Sequence, residues 1–345
     1  MLHITFCPRR TLASLLGLSL LFAMPASATE EVNLYSARKE ALIKPLLDQF
    51  TGQTGIKVNL VTGKADALLK RLETEGQNSP ADLLLTTDAG RLHRAKQAGV
   101  LAPVNADKLA TQVPSSYRDP DNYWFGLSVR ARPIMYVTER VTPAELSSYE
   151  ALADDKWRGR ICIRSSSNIY NQSLVASMIA SRGVEQTEAW AKKFVRNLAR
   201  PPRGGDRDQI KAAASGQCDI AIANTYYLGM MLNSKDEAQR EAAKRISIFW
   251  PNQADRGAHV NVSGIALTKA AKNRDNAVQL MRFLVSDNSQ VWYGETNHEY
   301  PIRDSIKISD TLRDWGTFKA DNLNLWLLGQ HNAEAIRIMD RVGWK

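Results

Sequence analysis

Residues 221–229 read Ala-Ile-Ala-Asn-Thr-Tyr-Tyr-Leu-Gly, and this stretch predicts the arrangement on which the rest of the chain builds. Its apolar residues alternate as in a buried strand and stop at Asn224 and Thr225, which are good helix N-caps. Tyr226 and Tyr227 therefore stand at a strand-to-helix corner. In an open α/β sheet such corners line the crevice where ligands bind, so both phenols are candidate ligands. The alternative is that they are half-buried aromatic residues of a core or an interface.

The first 28 residues predict an export signal that is cleaved near Ala28. Arg9 and Arg10 form a charged start, residues 12–24 are apolar, and residues 26–28 fit a small-residue cleavage site. The apolar run is too short to span a bilayer comfortably. We therefore expect an exported mature chain of 317 residues, because 28 of the 345 are removed.

The composition is basic, with a formal net charge of +9. The first 28 residues hold two arginines and no acids, so the mature chain carries +7. This excess favours an anionic ligand or an anionic surface. Nucleic acid is not an expected partner, because no basic cluster is interleaved with exposed aromatic residues.

Two cysteines, Cys162 and Cys218, lie in apolar segments of the mature chain. In an oxidising compartment they either form one disulfide, worth about 4 kcal/mol in loop-closure entropy, or remain two buried thiols. Their separation and the lack of neighbouring histidines argue against a zinc site.

Strand and helix patterns alternate in the first part of the chain. Strands are predicted at 32–35, 56–61 and 81–85, each followed by a helical pattern, which is typical of a doubly wound α/β lobe. Arg130 and His259 lie in two later strands that predict a two-stranded hinge between lobes. Arg130 and Arg132 interrupt an otherwise apolar run, and an arginine in such a strand needs an anion or a carboxylate as its partner, unless the strand lies at a solvated edge.

Four tyrosines fall at or near predicted strand ends: Tyr35, Tyr170, Tyr226 and Tyr227. A phenol has a pKa near 10, so it ionises at neutral pH only for a strongly Lewis-acidic cation such as Fe³⁺. Hard phenolate oxygens suit that ion, and the scarcity of histidines argues against zinc or copper. Three phenolates balance the charge of Fe³⁺, and a small anion held by arginines completes an octahedral site.

The chain resembles the ferric-ion-binding periplasmic proteins of bacterial iron ABC transporters, a branch of the two-lobed solute-binding proteins. The resemblance covers essentially the whole mature chain, and its most specific element is the Asn-x-Tyr-Tyr motif at 224–227. The other matching elements are Asn33-Leu-Tyr-Ser-Ala-Arg38, Pro80-Ala-Asp82, Gly126-Leu-Ser-Val-Arg130, Val262-Ser-Gly264 and Glu299-Tyr-Pro301.

The resemblance implies an α/β fold of two lobes, each a doubly wound mixed sheet with flanking helices, joined by a two-stranded hinge. Lobe 1 is expected at 29–130 plus 258–305, and lobe 2 at 131–257 plus 306–345. It also implies a monomeric protein of the periplasm, which captures Fe³⁺ between its lobes and delivers it to an inner-membrane ABC transporter permease.

The resemblance assigns Fe³⁺ binding to Tyr226 and Tyr227, with Tyr170 as a third phenolate. In a better-known branch of the family, a histidine follows the first strand and a glutamate follows the third. This chain has Lys39 and Thr87 at those places, and neither suits Fe³⁺. Lobe 1 is therefore expected to supply no protein ligand of the usual kind.

A synergistic anion, carbonate or bicarbonate, is expected to fill the remaining coordination positions. The residues expected to hold this small anion are Arg38, Arg130, Ser167 and Asn168. The two arginines supply charge, and the Ser-Asn pair lies at a predicted helix N-terminus, where backbone N–H groups favour anions.

Other polar residues near these strands have less specific interpretations. Tyr35 is expected to pack close to the site as part of the framework, and Glu40 lies near enough in sequence to be an occasional ligand. We interpret His259 and His298 as hydrogen-bonding residues near the hinge rather than as metal ligands. Residues 206–207 either help to close the cleft over the anion or lie in a solvated loop.

Two other functions compete with iron binding. A protein of the same fold that carries an organic anion, such as a phosphonate or a polycarboxylate, would bind it through the arginines and use the tyrosines as walls. An exported hydrolase is the more remote alternative, because no Gly-x-Ser-x-Gly elbow, His-Glu-x-x-His helix or Cys/His pair is visible. We therefore expect a binding protein and not an enzyme.

Overall fold

The structure is a computed structural model that describes residues 1–3, 5, 30–105 and 107–345, without the side chains of residues 107 and 108. The apolar run and the cleavage site of the predicted export signal lie outside the described residues. Among the residues that are described, no helix is both long enough and apolar enough to cross a membrane.

The strands of the described chain form two separate sheets. They are β1 (Glu31–Ser36), β2 (Lys57–Thr62), β3 (Leu83–Thr87), β4 (Leu101–Ala102), β5 (Phe125–Ala131), β6 (Ile134–Val137), β7 (Ile161–Cys162), β8 (Ile220–Ile222), β9 (Ile246–Phe249) and β10 (Val260–Thr268).

Helices flank both sheets. They are α1 (Lys44–Thr54), α2 (Ala65–Glu75), α3 (Ala89–Gln97), α4 (Asp107–Gln112), α5 (Ile169–Arg182), α6 (Val184–Arg196), α7 (Asp206–Ala214), α8 (Thr225–Leu232), α9 (Glu237–Lys244), α10 (Arg274–Leu284), α11 (Asp287–Asn297), α12 (Asp310–Arg313), α13 (Trp326–Gln330) and α14 (Asn332–Arg341).

Both sheets are mixed, and each is the centre of one lobe. The first sheet has the order β2-β1-β3-β10-β4, with β5 paired to β10; β1 is parallel to β2 and β3, whereas β10 is antiparallel to its neighbours. The second sheet has the order β7-β8-β6-β9, with β7 parallel to β8 and β6 antiparallel to β8 and β9. The predicted two-lobed α/β fold with mixed sheets and flanking helices is confirmed.

The first helix illustrates how the sequence sets these elements. Leu46, Leu47 and Phe50 recur on one face of α1 and are buried, which is the spacing of an amphipathic helix. Pro45 lies in the first turn, where its missing N–H group has no partner to lose. The helix ends at Gly55, whose left-handed φ of 77° suits a residue without Cβ.

Two of the crossings between the lobes lie beside the β5–β10 pair. Arg130 on β5 pairs with Asn261 on β10 in the first sheet, and His259 directly precedes β10. The chain leaves for the second sheet at residues 132–133 and returns through residues 250–259. The prediction that these two strands act as a hinge remains a prediction. Helix α13 packs against both α3 and α5, so a C-terminal helix contacts both lobes.

A disulfide joins Cys162 and Cys218, with an S–S distance of 2.03 Å. The disulfide alternative of the sequence analysis is confirmed, and the two-thiol alternative is wrong. Cys162 lies in β7, and Cys218 lies two residues before the start of β8, the neighbouring parallel strand. The disulfide therefore ties together the two strands whose carboxyl ends lead to Tyr170 and Tyr226.

Candidate metal centre

A cavity of about 410 Å³ lies where the carboxyl ends of β1, β3 and β8 meet, between the two lobes. It is lined by Ala37, Arg38, Lys39, Ala41, Leu42, Thr87, Arg130, Tyr170, Arg207, Tyr226, Tyr227, Met230, Asn297 and Glu299. Two larger hollows of about 560 Å³, one beside α6 and one beside α10, contain no tyrosine and none of the predicted site residues. The interlobe cavity is therefore the candidate site.

Three phenols meet in this cavity. The Oη atoms of Tyr226 and Tyr170 are 3.3 Å apart, and the ring centroids of Tyr226 and Tyr227 are 4.2 Å apart. Tyr226 is buried, whereas Tyr170 and Tyr227 are half-buried. The structure thus brings together the three tyrosines predicted to bind the metal ion. Tyr170 and Tyr226 are 56 residues apart in the sequence and lie on different helices.

The tyrosines are positioned by the first turns of two helices. Tyr170 lies in the first turn of α5, and the side chain of Asn168 accepts a hydrogen bond from its backbone N–H group at 3.2 Å. Tyr226 and Tyr227 lie in the first turn of α8, after Asn224 at the N-cap position. The side chain of Asn224 does not cap the helix, because it is engaged by an arginine.

That arginine is Arg132, which is buried and connects the segments that carry the phenols. Its guanidinium donates to Oδ1 of Asp206 at 3.0 Å, of Asn224 at 2.9 Å and of Asn171 at 2.7 Å. Asp206 also accepts from Arg164 at 3.2 Å. Arg132, which directly follows β5, therefore has a carboxylate partner, and it fixes the N-terminal ends of α7 and α8 relative to α5.

Arg38 and Arg130 share one buried carboxylate, that of Glu299. Arg38 donates to Oε2 of Glu299 at 2.8 Å, and Arg130 donates to Oε1 at 3.2 Å. Ser128 donates to Oε2 at 2.6 Å, and Ser263 accepts from both arginines. Burial opposes ionisation of Glu299, but the two guanidinium groups outweigh burial and hold its pKa below the ordinary value.

This cluster leaves part of each arginine without an acceptor. Nε of Arg38, and Nε and Nη1 of Arg130, are buried and donate no hydrogen bond to any described residue. Buried donors without a partner are costly, so an acceptor that enters the cavity would be stabilised there. Since one carboxylate serves two guanidinium groups, the cluster also keeps a net positive charge that suits an anion.

Tyr226 and Tyr227 are neutral at pH 7 in the absence of a strong cation. Burial and the neighbouring phenols Tyr170 and Tyr227 raise the pKa of Tyr226 well above its usual value. Burial, Tyr170 and Asp206 likewise raise the pKa of Tyr227. A metal ion that binds these oxygens must therefore displace protons. A trivalent hard cation has the required Lewis acidity, and a divalent soft one does not.

Arginines also lie beside the rings of the three phenols. The guanidinium carbon of Arg130 is 5.5 Å from the ring centroid of Tyr226, and that of Arg207 is 5.8 Å from the ring of Tyr227. The guanidinium carbon of Arg164 is 5.8 Å from the ring of Tyr170. These cations favour negative charge on the phenol oxygens.

Two predicted anion-binding residues, Ser167 and Asn168, do not border the cavity. The hydroxyl of Ser167 shares a hydrogen bond with that of Ser165 at 2.6 Å, and Asn168 caps α5. Their role in anion binding remains a prediction. Arg38 and Arg130, the other two residues predicted to hold the anion, both line the cavity.

Tyr35 and Glu40 also lie away from the cavity lining. The hydroxyl of Tyr35 donates to Glu75 on α2 at 3.0 Å, and its ring packs under Arg71. Glu40 is exposed to solvent in a short turn after β1. The alternation of side chains along β1 turns Tyr35 away from the phenol cluster.

His259 and His298 lie in surroundings that are typical of structural residues and not of metal ligands. His259 is buried; its backbone N–H donates to Oη of Tyr149 at 3.1 Å, and its carbonyl accepts from Arg132. Burial, with the positive charges of Arg256 and Arg132, lowers its pKa well below the usual value. His298 ends α11 in the left-handed region, with φ of 53°. In the described part of the chain, no group of three His, Cys, Asp or Glu side chains is arranged to hold a metal ion.

Residues 206–207 do not form a solvated loop. Asp206 is buried between Arg132 and Arg164, and Arg207 borders the cavity. Sequence reasoning missed the role of Asp206 as the carboxylate partner of Arg132, and that of Glu299 as the partner of Arg38 and Arg130. The signal available in the sequence was the pair of arginines in an apolar strand, which requires acids somewhere in the fold.

Comparison with known proteins identifies relatives of similar length. The family described as bacterial extracellular solute-binding proteins matches residues 46–320. Iron uptake protein A1 of Synechocystis is 50% identical over 316 residues, which are 92% of this chain and 88% of the relative. The structure of Trichodesmium FutA in complex with iron and citrate ligands is 49% identical, has a TM-score of 0.89, and matches 91% of this chain and 100% of that one. The ferric binding protein from Campylobacter jejuni is 40% identical, with a TM-score of 0.86 and coverage of 91% and 100%. The chain therefore belongs to the family of bacterial extracellular solute-binding proteins.

Proposed function

We propose that this protein captures Fe³⁺ in the interlobe cavity through the phenolate oxygens of Tyr170, Tyr226 and Tyr227, and delivers it to an inner-membrane ABC transporter permease. The observation that carries the proposal is the meeting of three phenols in one cavity with a cationic wall. Fe³⁺ is the substrate of this binding protein, and three phenolates neutralise its charge.

The relatives support the same substrate. The Synechocystis relative is an iron uptake protein, the Trichodesmium structure holds iron and citrate, and the Campylobacter protein binds ferric ion. These proteins match more than nine-tenths of this chain at 40–50% identity. The family and the chemistry of the cavity therefore point to one class of substrate.

A synergistic anion completes the coordination of the iron in this proposal. Carbonate or bicarbonate is the anion expected, with Arg38 and Arg130 as its main contacts and Ser167 and Asn168 as further candidates. The unpartnered Nε and Nη1 of Arg130 support an acceptor at that place. Citrate is the competing anion, because it accompanies iron in the Trichodesmium relative.

Binding and release follow from proton exchange and lobe movement. Fe³⁺ displaces the phenolic protons, the anion occupies the cationic wall, and the lobes close about the hinge strands. Acid returns protons to the phenols and releases the iron. The protein acts by binding and release, without catalysis.

The proposal also covers the lobe boundaries, oligomeric state, location and partners of the protein. Lobe 1 comprises 29–130 with 258–305, and lobe 2 comprises 131–257 with 306–345. The protein works as a monomer in the periplasm after cleavage near Ala28. Its partners are the permease and the small anion.

The test is a visible absorption spectrum of the purified protein, titrated with ferric iron in the presence of bicarbonate. We expect a tyrosinate-to-iron charge-transfer band in the wild type that is lost or strongly weakened in Tyr226→Phe and Tyr227→Phe. Tyr35→Phe is the matched control, because Tyr35 lies outside the cavity lining, and it should keep the full band.

The alternative function is transport of an organic anion by the same cavity. The observation in its favour is that the cavity wall carries four cationic side chains and one carboxylate. If no band forms with iron while a phosphonate or a polycarboxylate raises the melting temperature of the iron-free protein, the organic anion becomes the preferred substrate.

A further inference from the structure

The two walls of the cavity differ in chemical character. Lobe 2 supplies the three phenols, whereas lobe 1 supplies Arg38, Lys39, Arg130, Thr87 and Glu299. Fe³⁺ requires anionic oxygen ligands, and the one anionic oxygen group on the lobe 1 wall is the carboxylate of Glu299. That carboxylate is already bound to two guanidinium groups and a hydroxyl. The lobe 1 wall therefore suits an anion and not the metal ion itself.

Two cations of the cavity, Lys39 and Arg207, lack a carboxylate partner. Lys39 lies in the turn after β1; it is exposed and forms no ion pair with any described residue. Arg207 lies in the first turn of α7, where it donates to Sδ of Met230 at 3.2 Å, and it forms no ion pair with any described residue. Lys39 belongs to lobe 1 and Arg207 to lobe 2.

The net charge of the cavity lining indicates which ligand Lys39 and Arg207 can bind. The lining carries Arg38, Lys39, Arg130 and Arg207 against Glu299, a surplus of three positive charges. Fe³⁺ with three phenolates is neutral and leaves that surplus in place. A multivalent oxyanion coordinated to the iron neutralises most of it and presents its outer oxygens to the cavity wall.

We propose that Lys39 and Arg207 form a clamp from opposite lobes on the outer oxygens of the iron-bound anion, so that cleft closure requires an oxyanion with at least two negative charges. This inference rests on the proposed function and goes further, because it makes the anion the link between the lobes. Lys39 is a specificity-determining residue in this account: it binds the anion, while the tyrosines bind the iron.

The test compares Lys39→Gln and Arg207→Gln with the wild type. Lys57→Gln is the matched control: it removes the same charge at the amino end of the parallel strands, opposite the cavity. Each protein is loaded with Fe³⁺ plus bicarbonate, Fe³⁺ plus citrate, or Fe³⁺ plus chloride. The measurements are the charge-transfer band, the rate of iron loss to an external chelator, and the radius of gyration by small-angle X-ray scattering.

We expect the wild type and Lys57→Gln to contract with citrate, or with bicarbonate that loses its proton and binds Fe³⁺ as carbonate, and to stay open with chloride. Lys39→Gln and Arg207→Gln should keep the band but lose iron about tenfold faster, since each lacks one charge-assisted hydrogen bond. A contraction with one of the two multivalent anions alone identifies the source of the link. In the iron-free protein, citrate should raise the melting temperature less in both variants than in the wild type.

A reversal of charge provides a second, independent variant. Lys39→Glu places a carboxylate on the lobe 1 wall, where it can ligate Fe³⁺ directly, and should close the cleft with chloride as the only added anion. If Lys39→Gln and Arg207→Gln contract and hold iron like the wild type, the clamp is overturned while the proposed function stands. Absence of the band in the wild type overturns the proposed function and the clamp together.

Discussion

Glu299 is one buried carboxylate paired with two buried guanidinium groups, so we expect the stability of the fold to depend on its charge. In Glu299→Gln, the side chain keeps its shape and loses its charge, so Arg38 and Arg130 are left facing each other without a carboxylate. Removing one member of a buried ion pair costs about 3–5 kcal/mol. At about 2–4 °C per kcal/mol, the melting temperature of the iron-free protein should fall by about 6–20 °C.

Glu188→Gln is the matched control, because it makes the same chemical change in an exposed ion pair. Glu188 accepts from Arg341 at 2.6 Å, and both side chains are accessible to solvent. Exposed pairs contribute little to stability, so the control should shift the melting temperature by far less than Glu299→Gln does. Differential scanning calorimetry in a buffer of monovalent anions measures both variants.

Two further results separate the charge argument from simple loss of packing. Added sulfate should raise the melting temperature of Glu299→Gln more than that of the wild type, because the anion replaces the missing carboxylate. The double variant Glu299→Gln, Arg130→Gln should be more stable than the single one, because one guanidinium remains without its like-charged neighbour. A loss no larger than that of Glu188→Gln, with no response to sulfate, would show that the uncompensated charge of Arg38 and Arg130 does not destabilise the fold.

The same cluster predicts a pH dependence. The pKa of Glu299 is lowered in the folded protein, because the guanidinium groups outweigh burial. A carboxylate whose pKa is lower in the folded protein contributes its full stabilisation at pH values above its pKa in the unfolded chain, about 4.3 for glutamate. This stabilisation is lost as the pH falls through the pKa of the folded protein. The difference in melting temperature between the wild type and Glu299→Gln should therefore shrink below about pH 4.

The remaining predictions concern proton release, the disulfide and the buried arginine. Iron binding at pH 7 should release one proton fewer per Fe³⁺ in Tyr226→Phe than in the wild type, as measured by pH-stat titration; equal release would exclude that phenolate. Because three phenols ionise, affinity should fall about 1000-fold for each pH unit of acidification, which chelator competition can follow. Replacing Cys162 and Cys218 by serine should lower the free energy of unfolding by about 4 kcal/mol, since the disulfide closes a loop of 56 residues, and a loss under about 1 kcal/mol in urea would contradict this value. Arg132→Lys should weaken iron binding at least about tenfold, because lysine lacks the planar fork that reaches three acceptors, whereas the exposed Arg158→Lys should have no effect on titration.

Local patterns in the sequence predicted the elements that position the phenols. Alternating apolar residues mark β8, and polar residues that interrupt the pattern mark the start of α8. Because the carboxyl ends of neighbouring parallel strands meet at one edge of a sheet, Tyr170 after β7 and Tyr226 after β8 could be expected to lie close together. Tyr35 also lies near a strand end, but its hydroxyl donates to Glu75 on α2. Side chains alternate between the two faces of a sheet, and the position of Tyr35 in β1 directs its side chain away from the other three phenols.

Long-range partners could not be predicted in this way. Glu299 lies 261 residues from Arg38, and no local period connects a carboxylate to an arginine at that separation. Asn224 shows a related limit: its residue type correctly indicated an N-cap position, but its side chain hydrogen-bonds to Arg132 instead of capping the helix. Ion-pair and hydrogen-bond partners depend on the assembled fold, whereas strand ends and helix starts depend on neighbouring residues.

We propose that three phenolates from lobe 2 bind Fe³⁺ while lobe 1 contributes no metal ligand. A crystal structure of the protein loaded with Fe³⁺ and bicarbonate, with an anomalous difference map at the iron edge, tests this arrangement. We expect one iron peak bonded to Oη of Tyr170, Tyr226 and Tyr227, with an anion between the iron and Arg130. An iron peak outside the interlobe cavity, or one in the cavity that is coordinated without Tyr226 and Tyr227, would contradict it.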